Sequence, residues 1–233
     1  MKISIFSIAE IPLGKHNIKD ARLDEIDKIT RSKKKTYLQV ELVDGSVALD
    51  ADAILVLHDS RTDLILKDLE FTETRLARVE QEEERVLLDK LKSILEKEEF
   101  ISQAGLSEQE KMLISGYGFY TNRPITVAEK KDLDNLDNLL ARVVLESGFI
   151  SFFTTGEKET RAWLIKKGTV AREAAGVIHS DIQRGFIRAE IISFNDFIQA
   201  GGETQAKQAG KLRLEQKDYI IQDANLVNFR FNK

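Results

Sequence analysis

Two stretches near the end of the chain decide its fold: FFTTGEKETRAWLIKKGTVAREAAGVIHSDIQRGFIRAEIISFNDFIQAGG at 152–202 and AGKLRLEQKDYIIQDANLVNFRFN at 209–232. Val227, Phe229 and Phe231 alternate with other residues, which is typical of a strand with one face against a core. Strands are predicted at Phe152-Phe153, Ala162–Ile165, Phe186–Ile192, Tyr219–Ile221 and Leu226–Phe231. Short helices are predicted at 170–179 and 194–200. The C-terminal region is therefore predicted to be β-rich.

The first 61 residues and the region around 124–146 have the pattern of a small α/β unit. Strands are predicted at Lys2–Ile8, Tyr37–Val43, Ala53–His58 and Pro124–Ala128, and helices at Asp20–Thr30 and Asp132–Glu146. The run Ala53–Leu57 is continuously apolar, which indicates a strand buried on both faces, as in a parallel sheet. Strands that alternate with helices predict an α/β fold.

The middle of the chain, Thr62–Phe100, repeats apolar residues at the three-four spacing of a helix. Neither Gly nor Pro marks a turn within it, so one long coiled-coil helix and a hairpin bent near Gln81–Glu84 both remain open. Beyond it, Ser107 followed by Glu110 has the spacing of a capping box that starts another helix.

The composition limits the class of protein. The chain has no cysteine, which excludes disulfides, thiolate zinc sites and a Cys nucleophile and favours a reducing compartment. Its apolar runs are far shorter than the roughly 20 residues that span a bilayer, and its start does not have the pattern of a signal peptide. A cytoplasmic protein without a membrane partner is expected.

The net charge of −4 is unevenly distributed along the chain. Residues 151–233 contain 13 basic and 10 acidic side chains, a net charge of +3, whereas residues 1–150 contain 22 and 29, a net charge of −7. This difference predicts two regions with different surfaces.

The pieces IHSD, GFIRAE and FRFN, within an almost gapless match over 149–232, resemble the C-terminal TGS-like domain of the Obg-like ATPase (YchF) family of P-loop NTPases. Three further stretches resemble that family's switch strand, next core strand and coiled-coil insertion: DARLDEIDKITRSKKKTYLQVELVDGS (20–46), DADAILVLHDS (50–60) and LILKDLEFTETRLARVE (64–80). GLSEQEKMLISGYGFYTNRPITVAEKKD (105–132) resembles the return to the G domain. The resemblance implies a ubiquitin-like β-grasp domain that contacts RNA, the ribosome or proteins.

The same resemblance implies three parts. These are a reduced, parallel G-domain-like sheet at 1–61 and 119–148, a helical insertion at 62–118, and the TGS-like β-grasp domain at 149–233. Whole blocks of the family's G domain are expected to be absent. The predicted class is thus α/β plus α+β.

The nucleotide motifs of the family are poorly matched here. A P-loop requires G-x-x-x-x-G-K-[ST], but the corresponding stretch SIAEIPLGKHN has Ser7 for the first glycine, an altered spacing to Gly14-Lys15, and His16 for the hydroxyl residue that holds Mg²⁺. Asp44 matches the switch aspartate, whereas Glu129 stands where the family has its base-reading Asn. Because phosphoryl transfer depends on positioning and electrostatics, NTP hydrolysis is not expected.

Three functions remain open at this point. The first is a non-catalytic interaction module whose partner-binding residues are Lys166, Lys167, Arg172, Arg184, Arg188, Lys211, Arg213 and Lys217, with RNA, the ribosome or a protein as partner. The second is a regulator that keeps weak ATP or GTP affinity, with Mg²⁺, through Gly14, Lys15 and Asp44. No other cofactor and no metal site is expected, since the three histidines show no ligand spacing. Docking onto a partner's sheet edge is a third possibility.

Overall fold

A computed structural model describes residues 1–232 and divides the chain into two compact units. The first unit comprises Met1–His16 and Val40–Ser147, and the second comprises Asn17–Gln39 and Gly148–Lys233. This division differs from the predicted domains because it groups residues 17–39 with the C-terminal region.

The strands are β1 (Lys2–Phe6), β2 (Gly14–Ile18), β3 (Lys35–Thr36), β4 (Leu38–Asp44), β5 (Ala53–Leu57), β6 (Ile125–Ala128), β7 (Phe149–Thr154), β8 (Thr160–Lys166), β9 (Phe186–Ile192), β10 (Arg213–Glu215) and β11 (Leu226–Phe231). The helices are α1 (Ala21–Thr30), α2 (Arg61–Leu76), α3 (Glu82–Glu96), α4 (Glu108–Leu113), α5 (Leu136–Glu146), α6 (Ala171–Ile178), α7 (Ser180–Arg184), α8 (Phe194–Ala200) and α9 (Glu203–Gln208).

The first unit is built on a five-stranded sheet with the order β2-β4-β1-β5-β6. β1 is parallel to both β4 and β5, and β5 is parallel to β6. Residues Ala53–Val56 of β5 are fully buried, as their continuous apolarity predicts. The predicted parallel α/β sheet is confirmed.

The helical insertion is a hairpin, which decides between the two forms left open by the sequence. α2 and α3 pack against each other, and residues 77–81 form the turn between them. Across this turn the Arg75 guanidinium donates to the Glu84 carboxylate at 2.6 Å. The buried face of α3 consists of Glu84 and four leucines, Leu87, Leu88, Leu91 and Leu95. The Ser107–Glu110 capping box at the start of α4 is present as predicted.

The second unit contains a six-stranded sheet with the order β10-β9-β11-β7-β8-β3. β7 and β8 form an antiparallel hairpin, while β11 lies beside β7 in parallel and beside β9 in antiparallel orientation. Helix α6 follows the β7–β8 hairpin, and the last strand, β11, is parallel to β7. This is the β-grasp arrangement that the family resemblance implies. Phe152 and Phe229 are in edge-to-face contact at 6.0 Å within its core.

Residues 17–39 complete this β-grasp unit. Leu23 and Ile26 of α1 are fully buried in a core cluster with Phe153, Phe197 and Leu226, on the sheet face opposite to α6. β3 extends the sheet by pairing in parallel with β8. The helical spacing in residues 20–30 predicts an apolar face but does not indicate which core receives it.

Several short elements differ from those predicted. The predicted strand Tyr219–Ile221 is wrong, because this segment forms only an isolated bridge between Ile220 and Val170. The strand β2 is not predicted, since GKHNI is mostly polar and lies at a sheet edge. Three further short elements, α7, α9 and β10, have too few residues for a detectable period.

Candidate functional site

A cleft of about 710 Å³ lies in the first unit where β1 and β4 end. The carboxyl ends of parallel strands are the usual ligand-binding edge of an open α/β sheet. The cleft is lined by Ile5, Phe6, Ser7, Ile8, Ala9, Ile11, Leu13, Asp44, Gly45, Ser46, Lys67 and Tyr120.

Asp44 is the one predicted nucleotide-site residue that lines this cleft. Its carboxylate accepts a hydrogen bond of 2.8 Å from the Ser46 backbone amide and caps the following 3₁₀ turn. This backbone hydrogen bond lowers the pKa of Asp44 below its ordinary value, so the group is a carboxylate at neutral pH. Asp44 therefore has a structural role in the turn and remains exposed to the cleft.

Lys67 is a cationic side chain of the cleft that the sequence analysis missed. It lies on α2, and its ammonium group is 5.8 Å from the centre of the Tyr120 ring. Tyr120 is held by the buried Asp68, whose carboxylate accepts from the backbone amides of Tyr120 at 2.9 Å and Thr121 at 2.7 Å. A single lysine in a helix with many charged residues does not indicate from the sequence that it lines a cleft.

Gly14 and Lys15 do not line the cleft. Both are exposed on the edge strand β2, where Gly14 has a φ of +112°. The loop before them buries Ile8 and Ile11 and leads into an extended strand. In a P-loop the corresponding lysine is followed directly by a helix whose amides face the phosphates.

A second candidate site lies in the β-grasp unit, at the turn before α6. Backbone hydrogen bonds join this turn to the segment before β11: Arg172 N donates to Lys217 O at 3.2 Å, and Ile221 N donates to Thr169 O at 3.0 Å. The Arg213 guanidinium donates to the hydroxyl of Tyr219 in the same segment at 3.1 Å. These contacts join the segments that carry five of the predicted basic residues, which we call the turn cluster: Lys166, Lys167, Arg172, Arg213 and Lys217.

The lysines of the turn cluster are exposed, and their side chains form no hydrogen bond or ion pair with any part of residues 1–232. Three acidic side chains lie on the same segments, namely Glu173, Glu215 and Asp218. Only Glu215 among them is paired with the cluster, at 3.8 Å from Arg213. The cluster therefore presents free ammonium groups to solvent.

The other three predicted basic residues lie elsewhere in the unit. Arg184 on α7 is paired with Asp181, and Lys211 is paired with Asp196 at 3.1 Å. Arg188 is exposed on β9, opposite Arg230 of β11. Within residues 1–232, none of these three side chains forms a hydrogen bond or ion pair with the turn cluster.

Two kinds of feature are absent from residues 1–232. No group of three or more His, Asp or Glu side chains has the spacing to hold a metal ion. None of the helices in this range combines the length and apolarity needed to cross a membrane.

Comparison with known proteins gives matches over both units. A family model described as YchF-GTPase_C, "Protein of unknown function (DUF933)", matches residues 149–232. The Schizosaccharomyces pombe YchF GTPase has the same fold, with a TM-score of 0.75 at 19% identity over 99% of this chain and 97% of that one.

Curated relatives share more of the sequence. "Ribosome-binding ATPase YchF" of Bacillus subtilis is 50% identical over 97 residues, 42% of this chain and 26% of the relative. The protein of the same name from Haemophilus influenzae is 32% identical over 248 residues, 80% of this chain. This chain spans 68% of the length of the latter relative. The chain therefore belongs to the YchF family of Obg-like ATPases.

Proposed function

We propose that this chain is a ribosome-binding module that contacts ribosomal RNA through the turn cluster of its β-grasp unit. The observation that carries the proposal is the separation of charge between the units. The β-grasp unit contains 20 basic and 14 acidic residues, a net charge of +6, whereas the first unit contains 15 and 25, a net charge of −10. A polyanion is attracted to the former and repelled by the latter.

The free lysines of the turn cluster support a contact with the phosphate groups of ribosomal RNA. Lys166 and Lys167 form a tight turn that projects both ammonium groups, and Thr169 N closes it by donating to Lys166 O at 3.1 Å. A lysine without an ion-pair partner gives up no internal contact when it binds a phosphate. The relatives named ribosome-binding ATPases make the ribosome the partner to test first. Such a module would act in the cytoplasm.

We further propose that the chain does not hydrolyse NTP. Three features support this: Lys15 lies outside the cleft, the loop before it leads into a strand, and the Asp44 carboxylate is engaged by the Ser46 amide. Hydrolysis requires a phosphate cradle, a metal ligand and an oriented nucleophile together. The residues present offer at most parts of the first two of these, and none that would orient a nucleophile is identified among the residues lining the cleft.

A second candidate function is weak nucleotide binding without hydrolysis. It is favoured by the cleft at the ends of β1 and β4, where Lys67 is available as a phosphate contact and Asp44 as a ligand for Mg²⁺. Calorimetric titration with ATP, GTP and their diphosphates tests it. Binding that is lost in Lys67→Ala but kept in Lys15→Ala would support this second function, whereas no heat in the wild type would exclude it.

The test of the first function is cosedimentation with purified ribosomes. The protein should pellet at about 50 mM salt and dissociate at about 200 mM. Lys166→Glu with Lys167→Glu should weaken binding at least tenfold. The matched control is Lys130→Glu with Lys131→Glu, since this pair is also adjacent and exposed but lies in the acidic unit. Equal loss in both double variants would contradict the proposed site.

A further inference from the structure

The first unit has an apolar groove between α3 and α4, away from the cleft described above. The groove has a volume of about 750 Å³. Its apolar side chains are unusually exposed, with 60% of Val86, 68% of Met112 and 40% of Leu113 accessible to solvent. Contiguous exposed apolar side chains with a polar rim are typical of an interaction surface.

The walls of the groove are fixed by local contacts. The Lys90 ammonium is paired with the Glu110 carboxylate at 2.7 Å, which ties α3 to α4. The same Glu110 also accepts from the Ser107 amide and so closes the cap of α4. The single lysine that lines the groove is thus already neutralised, and the floor is closed by the buried Leu87.

The rim of the groove is acidic. Glu82 and Glu83 line it, are exposed, and form no ion pair within residues 1–232. Their position in the first turn of α3 favours negative charge through the helix dipole. The dipole does not explain why three apolar side chains beside them remain in solvent.

We propose that this groove docks a basic amphipathic helix of a partner protein. Leucine or methionine side chains spaced at i, i+3/i+4 and i+7 would cover Val86, Met112 and Leu113, and flanking lysines or arginines would pair with Glu82 and Glu83. The flexible Met112 side chain can adapt to different apolar partners. The nine residues 82–90 span about 13 Å, which matches two to three turns of a bound helix.

Charge decides between this occupant and two others. A two-fold contact with a second copy would set Glu82 and Glu83 against their own equivalents, in a unit with a net charge of −10. Nucleic acid would be repelled by the same carboxylates. The surface is independent of the turn cluster, so its test does not depend on ribosome binding.

The test uses the full chain and a labelled 18-residue peptide of Leu and Lys at helical spacing, measured by fluorescence anisotropy. A peptide with Glu in place of every Lys is the paired probe. The Lys peptide should bind at least tenfold more tightly than the Glu peptide. Met112→Gln with Leu113→Gln should weaken it at least tenfold, and circular dichroism should show an unchanged fold because both side chains are on the surface.

Two control variants distinguish binding in the groove from general effects of exposed apolar side chains and of net charge. Leu66→Gln with Leu145→Gln removes leucines that are 54% and 55% exposed elsewhere in the first unit, and should leave binding unchanged. Asp63→Lys with Glu70→Lys changes the net charge as much as Glu82→Lys with Glu83→Lys, and should weaken binding far less.

Three outcomes would overturn the proposal. One is equal loss in the two charge-reversed pairs, which would mean attraction to bulk charge. Another is unchanged binding in Met112→Gln with Leu113→Gln. The third is self-association of the wild type that these two substitutions abolish in sedimentation, which would make a second copy the occupant.

Discussion

The two units differ most in their net charge. The first unit, with its parallel sheet and helical hairpin, has a net charge of −10, and the β-grasp unit has a net charge of +6. Dividing the sequence at residue 150 gives a contrast of only −7 and +3. The difference arises because residues 17–39, with seven basic and four acidic side chains, fold into the β-grasp unit. The contrast in net charge follows tertiary structure rather than chain order.

The largest expected effect concerns α1, the helix within residues 17–39 that packs in the β-grasp unit. Leu23→Ala should lower the free energy of unfolding of that unit by about 3 kcal/mol, because Leu23 is fully buried. Trp163, the single tryptophan of the chain, lies in this unit and reports its unfolding by fluorescence in urea. Glu25→Ala, on the exposed face of the same helix, should leave the midpoint unchanged. Equal midpoints for wild type and Leu23→Ala would show that α1 is not part of the unit.

The corresponding substitution in the acidic unit is Asp68→Ala. It removes the carboxylate that accepts from two backbone amides and leaves both donors unpaired, the buried one of Thr121 and the half-buried one of Tyr120, which should cost about 2–3 kcal/mol. Amide exchange at Tyr120 and Thr121 should accelerate strongly, whereas Glu70→Ala on the exposed face of the same helix should not alter it. Unaltered exchange in Asp68→Ala would contradict the assigned role.

Asp68 also predicts a pH dependence of this unit. Burial raises the pKa of Asp68 above its ordinary value of 3.8, although hydrogen bonds from Thr121 and Tyr120 oppose the shift. A carboxyl group with a raised pKa binds its proton more tightly in the folded state. Its contribution to stability is therefore fully present below pH 3.8 and is lost as the pH rises through the folded-state pKa. The stability difference between wild type and Asp68→Asn should shrink or reverse over that range, and a constant difference would refute the assignment.

A smaller effect is expected for Arg22, which joins α1 to the rest of the β-grasp unit. Its guanidinium pairs with Asp223 at 2.6 Å and with Asp20 at 2.7 Å, and about a third of the side chain is exposed. After allowance for solvent screening, Arg22→Ala should destabilise the unit by about 1.5 kcal/mol in the Trp163 fluorescence assay. Arg22→Lys should recover little of this, because an ammonium cannot reproduce the forked contact.

The smallest expected effect is at the cap of α4. Ser107→Ala removes the hydroxyl that accepts from the Glu110 amide at 3.2 Å and should cost about 1 kcal/mol. Because α4 is one wall of the groove, amide exchange should increase in residues 108–113. Ser107→Asp keeps a capping acceptor and should restore protection, so continued fast exchange in that variant would argue against the cap.

Much of the fold follows from local patterns. The alternation in Leu226–Phe231 and the apolarity of Ala53–Leu57 predict β11 and β5, because each pattern matches the burial of its own strand. The same reasoning fails for α1, since Leu23 and Ile26 indicate an apolar face but their partners lie more than a hundred residues away. Long-range packing of this kind leaves no local signal.

The candidate sites were predictable to different extents. The turn at Lys166-Lys167 is local, so its exposed charge could be predicted, whereas the approach of Lys217 depends on backbone pairing between distant segments. Asp44 follows a strand and could be placed at the sheet edge. The position of Lys67 in the cleft could not be predicted, because it is set by the packing of α2. The Gly14-Lys15 dipeptide carries no information on whether a helix or a strand follows it, so its place on the edge strand β2 could not be predicted.

The proposed function rests on a phosphate contact between the basic β-grasp unit and the ribosome. The most direct test is the salt dependence of ribosome affinity for the wild type, Lys166→Ala with Lys167→Ala, and Lys130→Ala with Lys131→Ala. Each lost phosphate contact should reduce the slope of log K against log salt concentration by about 0.7–0.9. With the proposed contact, the slope is reduced by about 1.5 in the first variant and is unchanged in the second. Equal slopes for all three proteins would contradict it.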